Sequence, residues 1–261
     1  MKFGRFRHKT GEMNIYYGTL STDPEKTFIN VVDKFDFNDL NDFNYEGRQY
    51  LMTELEFLPP VTPTKIVAVG LNYKDHAEEM KKNLPTEPLL FIKPNSCILP
   101  HLGTIIRPAV SKRVDYESEL AVVIGKTAKN VKSKHAADYI FGYTCLNDVT
   151  ARDLQSKDIQ YTRSKSFDTF APIGPFIETE IENPNNLSIK GYLNEELKQS
   201  SNTSNLIFSP FELVEFISGI MTLFPGDVIS TGTPSGVGSL SSGDFFEIEI
   251  ENIGKLKNFV K

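Results

Sequence analysis

One stretch limits what this chain can fold into more than any other: Val114-Asp-Tyr-Glu-Ser-Glu-Leu-Ala-Val-Val-Ile-Gly125. Alternation along a strand puts Asp115, Glu117 and Glu119 on one face. The run from Leu120 to Ile124 is then apolar without interruption, so this is a buried strand whose carboxylate-bearing end lies close to the interior. Like charges in such a row repel, and the row is comfortable only where it faces water or shares a cation. Hard cations such as magnesium take oxygen ligands from carboxylates. Alone, a pair of acids on one strand face is more often a solvated edge.

Other segments read as short strands: Met13–Gly18, Thr27–Val32, Lys65–Gly70 (ending in a glycine turn), Leu187–Leu193, Asp227–Thr231 and Phe245–Ile250. Helical composition covers Asn72–Asn83. Ser133 is placed to cap a short helix through Tyr139, and Ser209–Leu223 has amphipathic spacing with Pro210 near its start. Strands outnumber helices, and 17 glycines and 15 prolines supply frequent turns, which indicates a β-rich α+β fold rather than repeated βαβ units. The proline-bounded Leu58–Thr64 reads as a linker between a small N-terminal β extension, residues 1–60, and a larger domain, residues 61–261. The first part, including the polar and aromatic Asp36–Tyr45, carries no legible chemistry.

A chain of 261 residues buries a substantial core. No apolar run reaches the roughly 20 residues of a membrane span, and the basic start lacks a signal peptide's apolar stretch, so the expectation is a cytoplasmic protein without a membrane partner. Cys97 and Cys145 form no CxxC pair and no Cys/His cluster, and read as core residues. The net charge of −6, with scattered lysines and arginines, argues against nucleic acid as a partner.

Asp148, in Asn147-Asp-Val-Thr-Ala-Arg-Asp153, is a third acidic candidate, although a capping or turn aspartate is the common use. A glycosidase pair is a rival reading of the glutamates. It is disfavoured because such carboxyls must flank the scissile bond, whereas neighbours on one strand face lie on the same side of a ligand. His76 has Glu79 three residues on, on the same helix face, which suits a general base; a surface histidine in a charged helix is the ordinary alternative. His8, His101 and His135 have no comparable partner and read as structural or surface residues. Lys165 sits in a proline-stiffened, rather apolar loop where it could neutralise an enolate or carboxylate, or simply snorkel. The glycine-rich Thr231–Gly238 follows a strand, and its backbone N–H groups with the Thr233 hydroxyl could hold a carboxylate. It matches neither a P-loop nor a dinucleotide fingerprint.

The order and wording of six segments resemble the fumarylacetoacetate hydrolase family from Lys65 to the end: Gly70–Met80, Pro88–Pro94, Asp115–Lys126, Asn147–Gln155, Lys165–Pro175 and Pro225–Gly238. The resemblance implies a mixed β-sandwich roll with peripheral helices, usually a homodimer. It implies metal ligands at Glu117, Glu119 and Asp148 for Mg2+ or Mn2+, with Ca2+ as an alternative. It also implies a water-activating His76–Glu79 dyad on a lid helix, Lys165 assisting negative charge, and Arg152, Gln155 and Thr233 contacting the substrate acid or lying just behind it. The implied activity is hydrolysis of a C–C bond in a small 2,4-dioxo acid of the acylpyruvate or fumarylpyruvate type. Oxaloacetate decarboxylation and 2-hydroxyhepta-2,4-diene-1,7-dioate isomerisation are the alternatives on the same site, and a non-catalytic metal-binding module is the reading from another class. Leu71 stands where acylpyruvate-hydrolase-like relatives often carry arginine, which leaves the substrate open.

Overall fold

The protein, described as a computed structural model over residues 1–11, 14–22, 27–37 and 43–261, is organised around the strand Ser118–Ile124. Every residue of that strand is buried, as its apolar run requires. Ile140–Asn147 pairs with it on one side and Val228–Ser230 on the other, both antiparallel. Beyond Val228–Ser230 the sheet continues to Ile66–Gly70, in parallel, and to Leu89–Lys93. In the other direction it passes through Ala171–Glu178 to Lys2–His8, Ile15–Thr22, Thr27–Val32 and Tyr45–Leu51. With Leu55–Leu58 and Ile98–Leu99 attached, twelve strands belong to this sheet.

A five-stranded sheet, ordered Glu196–Asn202, Ser188–Leu193, Phe245–Ile250, Gly254–Val260 and Thr104–Ile105, packs against the centre of the large one. Leu120 and Val122 of the large sheet share one apolar cluster with Ile189, Ile248 and Leu256 of the smaller. Burial of these branched side chains between the two sheets supplies the driving force for the layered β-rich fold expected from the sequence. A three-stranded ribbon, Thr150–Ala151, Val114–Tyr116 and Gly238–Ser239, closes one end.

The N-terminal strands extend the large sheet, with Lys2 opposite Glu178 and Phe3 opposite Ile177. Phe3 joins the main core against Phe35, Phe43 and Phe141, whereas Phe6, Ile29, Leu55, Phe57 and Phe176 form a second, smaller cluster. The Leu58–Thr64 segment runs partly inside the protein: Pro60, Val61 and Pro63 are buried.

Thr27–Val32 and Phe245–Ile250 are strands with the expected bounds. The Met13–Gly18 run opens the Ile15–Thr22 strand; Met13 lies outside the described residues, as do residues 38–42 of the Asp36–Tyr45 region. Pro210–Ile220 is a helix capped by Ser209, whose N–H donates to Glu212 at 2.8 Å while its hydroxyl accepts from the Glu212 N–H. Two helical expectations need correction. Ser133 does not cap its segment: it opens a 3-10 helix, Ser133–Tyr139, and its N–H donates to Glu215. The Asn72–Asn83 helix shrinks to Lys74–Glu79, because Asn72 is drawn into bonds with Phe208 and Thr231 and the chain turns left-handed at Lys81 (φ 52°). Lys82 N–H donates to Ala77 O and Lys81 N–H to Glu78 O, the paired bonds of a Schellman stop.

Cys97 and Cys145 are free and buried, and burial pushes their thiols up to about 11 and about 12, which makes them inert core groups. No helix among the described residues is long and apolar enough to cross a membrane.

The fully buried Asp227 fixes the parallel pair that leads to the site. It accepts from Thr64 N–H (3.0 Å), Thr64 hydroxyl (2.7 Å), Lys65 N–H (3.2 Å) and Phe224 N–H (2.9 Å), and pairs with the Lys65 ammonium. Asp227→Ala strands all of these donors at once and should lower the unfolding free energy by about 3 kcal/mol. Urea unfolding measures this, and a loss below about 1 kcal/mol would mean that strand pairing alone holds Thr64 and Lys65.

Candidate functional site

The carboxylates meet because the acidic strand breaks. Val114–Tyr116 belongs to the ribbon and Ser118–Ile124 to the large sheet, so Glu117 lies at the step between them. Its N–H donates to Asn147 Oδ1 at 2.9 Å, and its carbonyl accepts from Asp148 N–H at 2.9 Å. With Ser118 opposite Asn147 in the ladder, Asp148 is held beside Glu117. Glu117, Glu119 and Asp148 are all buried, and each offers a carboxylate oxygen within 4.8 Å of the others.

The expectation that Asp115 shares this face needs correction. The step at Glu117 takes Asp115 into the ribbon, where it pairs with Arg113 Nε and Arg152 Nε, both at 2.8 Å.

Two buried ammonium groups balance the cluster. Lys165, the last residue of the short helix Thr162–Lys165 rather than part of a loop, donates to Glu117 Oε2 at 2.9 Å and Asp148 Oδ2 at 2.6 Å. Lys93, at the end of its strand and fully buried, pairs with Asp148 Oδ1 and donates to Phe170 O at 2.7 Å. Burial alone would raise Glu117, but Lys165 and Arg152 outweigh it and hold this carboxyl well below the usual range. Burial lowers a lysine, yet the Asp148 and Glu117 charges leave Lys165 raised.

Glu119 goes the other way. Burial first, then the charges of Asp148 and Glu117, push it up to about 8. Ser230 hydroxyl and Gly232 N–H both donate to its Oε2, and among the described residues Oε1 accepts no hydrogen bond. A buried, all-oxygen donor set with one carboxyl short of positive charge fits a hard divalent cation.

The opposite wall comes from the parallel strands Ile66–Gly70 and Val228–Ser230, which run out side by side with Ser230 opposite Ala68. Asn72 clips the two exits together, its amide donating to Thr231 O at 2.8 Å. Gly232 is required here, because φ is +99° and a Cβ would lie 2.8 Å from that of Asn72. The helix that follows places His76 Nδ1 3.0 Å from Glu79 Oε2. The glycine-rich turn does hold carboxylates, but they are the protein's own: Gly232 N–H serves Glu119, and Gly236 N–H donates to Glu79 at 3.1 Å.

These walls enclose a cavity of about 100 Å³. Of the residues expected at the site, Glu117, Glu119, Asp148, His76, Lys165, Arg152, Gln155 and Thr233 line it. Glu79 stands behind His76. Arg152 is fully engaged: besides Asp115 it pairs with Glu117, and its Nη1 donates to Gln155 Oε1 at 2.6 Å. Thr233 accepts from Gln199 at 2.9 Å. The sequence reading passed over Lys93, Ser230 and Gln199. The signal for Lys93 was a lysine closing the apolar Leu89-Leu-Phe-Ile92 immediately before Pro94. Apolar Val69, Leu71, Met80, Leu89 and Phe91, with Tyr161 and Lys82, complete the wall.

The sequence model described as fumarylacetoacetate (FAA) hydrolase C-terminal matches residues 65–261. The rat oxaloacetate tautomerase Fahd2a, mitochondrial, is 42% identical over 219 residues, covering 80% of this chain and 70% of the relative. A 5-carboxymethyl-2-hydroxymuconate delta-isomerase from Mycobacterium smegmatis superposes with a TM-score of 0.91 at 38% identity, over 100% of this chain and 99% of the other. A fumarylpyruvate hydrolase from Pseudomonas aeruginosa, in complex with Mn2+ and pyruvate, gives 0.73 at 32% identity over 77% and 90%. The carboxylate cavity, the strand-rich fold around it and these matches together establish that the chain belongs to the fumarylacetoacetate hydrolase family.

Proposed function

We propose that this chain is a divalent-cation-dependent enzyme of small 2-oxo acids, and that its reaction runs through an enolate. The observation that carries this reading is the meeting, in one small cavity, of a buried three-carboxylate cluster, a buried lysine and His76 backed by Glu79. Glu117, Glu119 and Asp148 would hold the cation, Mg2+ or Mn2+, and the Mn2+ and pyruvate of the fumarylpyruvate hydrolase relative support that choice. When bound, such a cation supplies Lewis acidity toward a chelating 2-oxo acid.

The protein groups do the rest. Lys165 places positive charge beside the cluster, where an enolate oxygen gathers negative charge. Glu79 orients the His76 ring, and His76 takes the proton from the carbon next to the ketone and passes it on. The apolar wall of Val69, Leu71, Leu89 and Phe91 keeps bulk water from that carbon. Delivery of that proton to the enolate oxygen gives the enol, a tautomerisation, and delivery to a conjugated carbon gives isomerisation. The whole-chain likeness to the isomerase and the likeness to the oxaloacetate tautomerase favour this outcome.

The second reading, C–C hydrolysis of a 2,4-dioxo acid, uses the same dyad to deprotonate water. It is supported by the shared His76–Glu79 pair and by the fumarylpyruvate hydrolase relative. A panel of oxaloacetate, a hydroxydienedioate, acetylpyruvate and fumarylpyruvate, with magnesium or manganese and again with a chelator, separates the two. A shifted enol absorbance without cleavage marks proton transfer, and release of pyruvate marks hydrolysis. No cation-dependent change in any of the four would sink the proposal.

His76→Ala should lower kcat by about 100-fold or more while calorimetric Mn2+ affinity stays within about twofold, since the helix bearing His76 contributes no cluster carboxylate. Near-normal turnover would remove His76 from the chemistry.

The raised Glu119 makes a pH prediction. A carboxyl raised in the folded state is protonated there while already ionised in the unfolded chain. The folded protein therefore binds the extra proton, and in cation-free protein this group's contribution to stability declines as pH rises from the ordinary glutamate range towards about 8. Added Mg2+ or Mn2+ should flatten that decline and release up to one proton per cation at pH 7. Thermal unfolding against pH, with and without cation, reads the first effect; calorimetry in buffers of different ionisation enthalpy reads the second. A decline that the cation does not alter would show that Glu119 is no ligand.

A further inference from the structure

The cavity contains three lining cations, Arg152, Lys165 and Lys82, and they are not equivalent. Arg152 spends its donors on Asp115, Glu117 and Gln155, and Lys165 bridges Glu117 and Asp148. Lys82 alone has no hydrogen bond or ion pair to its side chain among the described residues. It is exposed, whereas Lys165 is buried, so its charge stands at the solvent side of the cavity.

Its position is not that of a loose surface lysine. The left-handed Lys81 (φ 52°) and the bond from Lys82 N–H to Ala77 O, 3.0 Å, lock the backbone of Lys82 onto the helix that carries His76. Apart from Lys82, the three carboxylates, Arg152, Lys165, His76, Gln155 and Thr233, the rest of the lining is apolar or aromatic, chiefly Val69, Leu71, Met80, Leu89, Phe91 and Tyr161. A ligand anchored by one acid group at the carboxylates and carrying a second negative charge has one lining lysine or arginine left uncommitted among the described residues, Lys82. Burying that charge against the apolar wall would cost far more than meeting an ammonium group.

Resting on the 2-oxo acid reading above, we propose that Lys82 binds the distal carboxylate of a dicarboxylic substrate and sets a preference for 2-oxo diacids over monoacids of equal length. The first acid group and the ketone occupy the carboxylate end, and the second carboxylate reaches the rim. Because Lys82 is solvent-exposed, its effect is modest in size and weakens with salt.

The test is calorimetric binding to the Mg2+-loaded full chain of two length-matched pairs: oxaloacetate with 2-oxobutanoate, and 2-oxoglutarate with 2-oxopentanoate. Wild-type protein should bind the diacid of at least one pair about fivefold more tightly at low salt. Lys82→Met should bring that ratio to near one, Lys82→Arg should retain most of it, and 0.5 M NaCl should compress it. Lys81→Met, which removes a neighbouring charge that does not line the cavity, should leave the ratio as in wild type and so controls for general charge loss. Equal binding of diacid and monoacid by wild type, or a preference that survives Lys82→Met, overturns the assignment of Lys82 while leaving the 2-oxo acid reading intact. Failure to bind any of the four in the presence of Mg2+ overturns both.

Discussion

The interaction on which the rest depends is the bridge that Lys165 and Lys93 build across Glu117 and Asp148. Three carboxylates buried within 4.8 Å of one another would not stay ionised in a low-dielectric interior, since desolvation and mutual repulsion both favour protonation. The Lys165 ammonium, with the Arg152 guanidinium, reverses that balance for Glu117, and the balance stays unreversed for Glu119. Much of the surrounding architecture serves this bridge. The step in the acidic strand turns Glu117 inward, the Ser118–Asn147 pairing brings Asp148 beside it, and the Leu89–Lys93 strand ends where its lysine meets Asp148.

The asymmetry is chemically useful. Glu117 and Asp148 present an ion-paired, hydrogen-bonded side, whereas Glu119 has an oxygen that accepts no hydrogen bond among the described residues, and burial with the neighbouring charges pushes its carboxyl up to about 8. A site of this kind can exchange a proton for a cation without reorganising its walls. Preorganisation of that sort concentrates electrostatic stabilisation on the one position where charge changes. Lys93 does not itself line the cavity, yet it pairs with Asp148, which does, and ties the carbonyl of Phe170 to the same ammonium.

Much of this was legible in the sequence, for physical reasons that differ from residue to residue. The run Leu120–Ile124 announced the central strand because only a strand covered on both faces tolerates five apolar residues in succession. Alternation joined Glu117 to Glu119 but wrongly added Asp115, because alternation assumes an unbroken strand and the chain changes sheets at Glu117. Ser209 and Pro210 marked a helix start because capping is a local interaction. The partners of Lys93 were not legible from its neighbours: Asp148 and Phe170 lie 55 and 77 residues away, so only the fold creates their contact. The Asn72 clip has the same character, and it explains why a segment of helical composition delivers only a short helix. The family resemblance brought the site residues together where spacing could not, but it did not show that Arg152 and Thr233 are already bonded within the protein.

On the proposed reading, proton transfer and hydrolysis would differ in what stands between His76 and the substrate carbon, and the helix bearing His76 forms one side of that gap. The helix is held at its start by Asn72, through the neighbouring strands, and at its end by the left-handed turn at Lys81. Its His76 ring is almost buried, while the Glu79 side chain behind it is 41% exposed. The Glu79 side of the pair therefore faces solvent, while the His76 side faces the cavity. On the enolate reading, this arrangement would favour repeated proton exchange, with solvent reaching the base from the Glu79 side and apolar side chains lining the other. Hydrolysis asks for one more thing, a water admitted on the substrate side. Leu71, Met80 and Leu89 are among the apolar side chains that line the cavity such a water would have to enter.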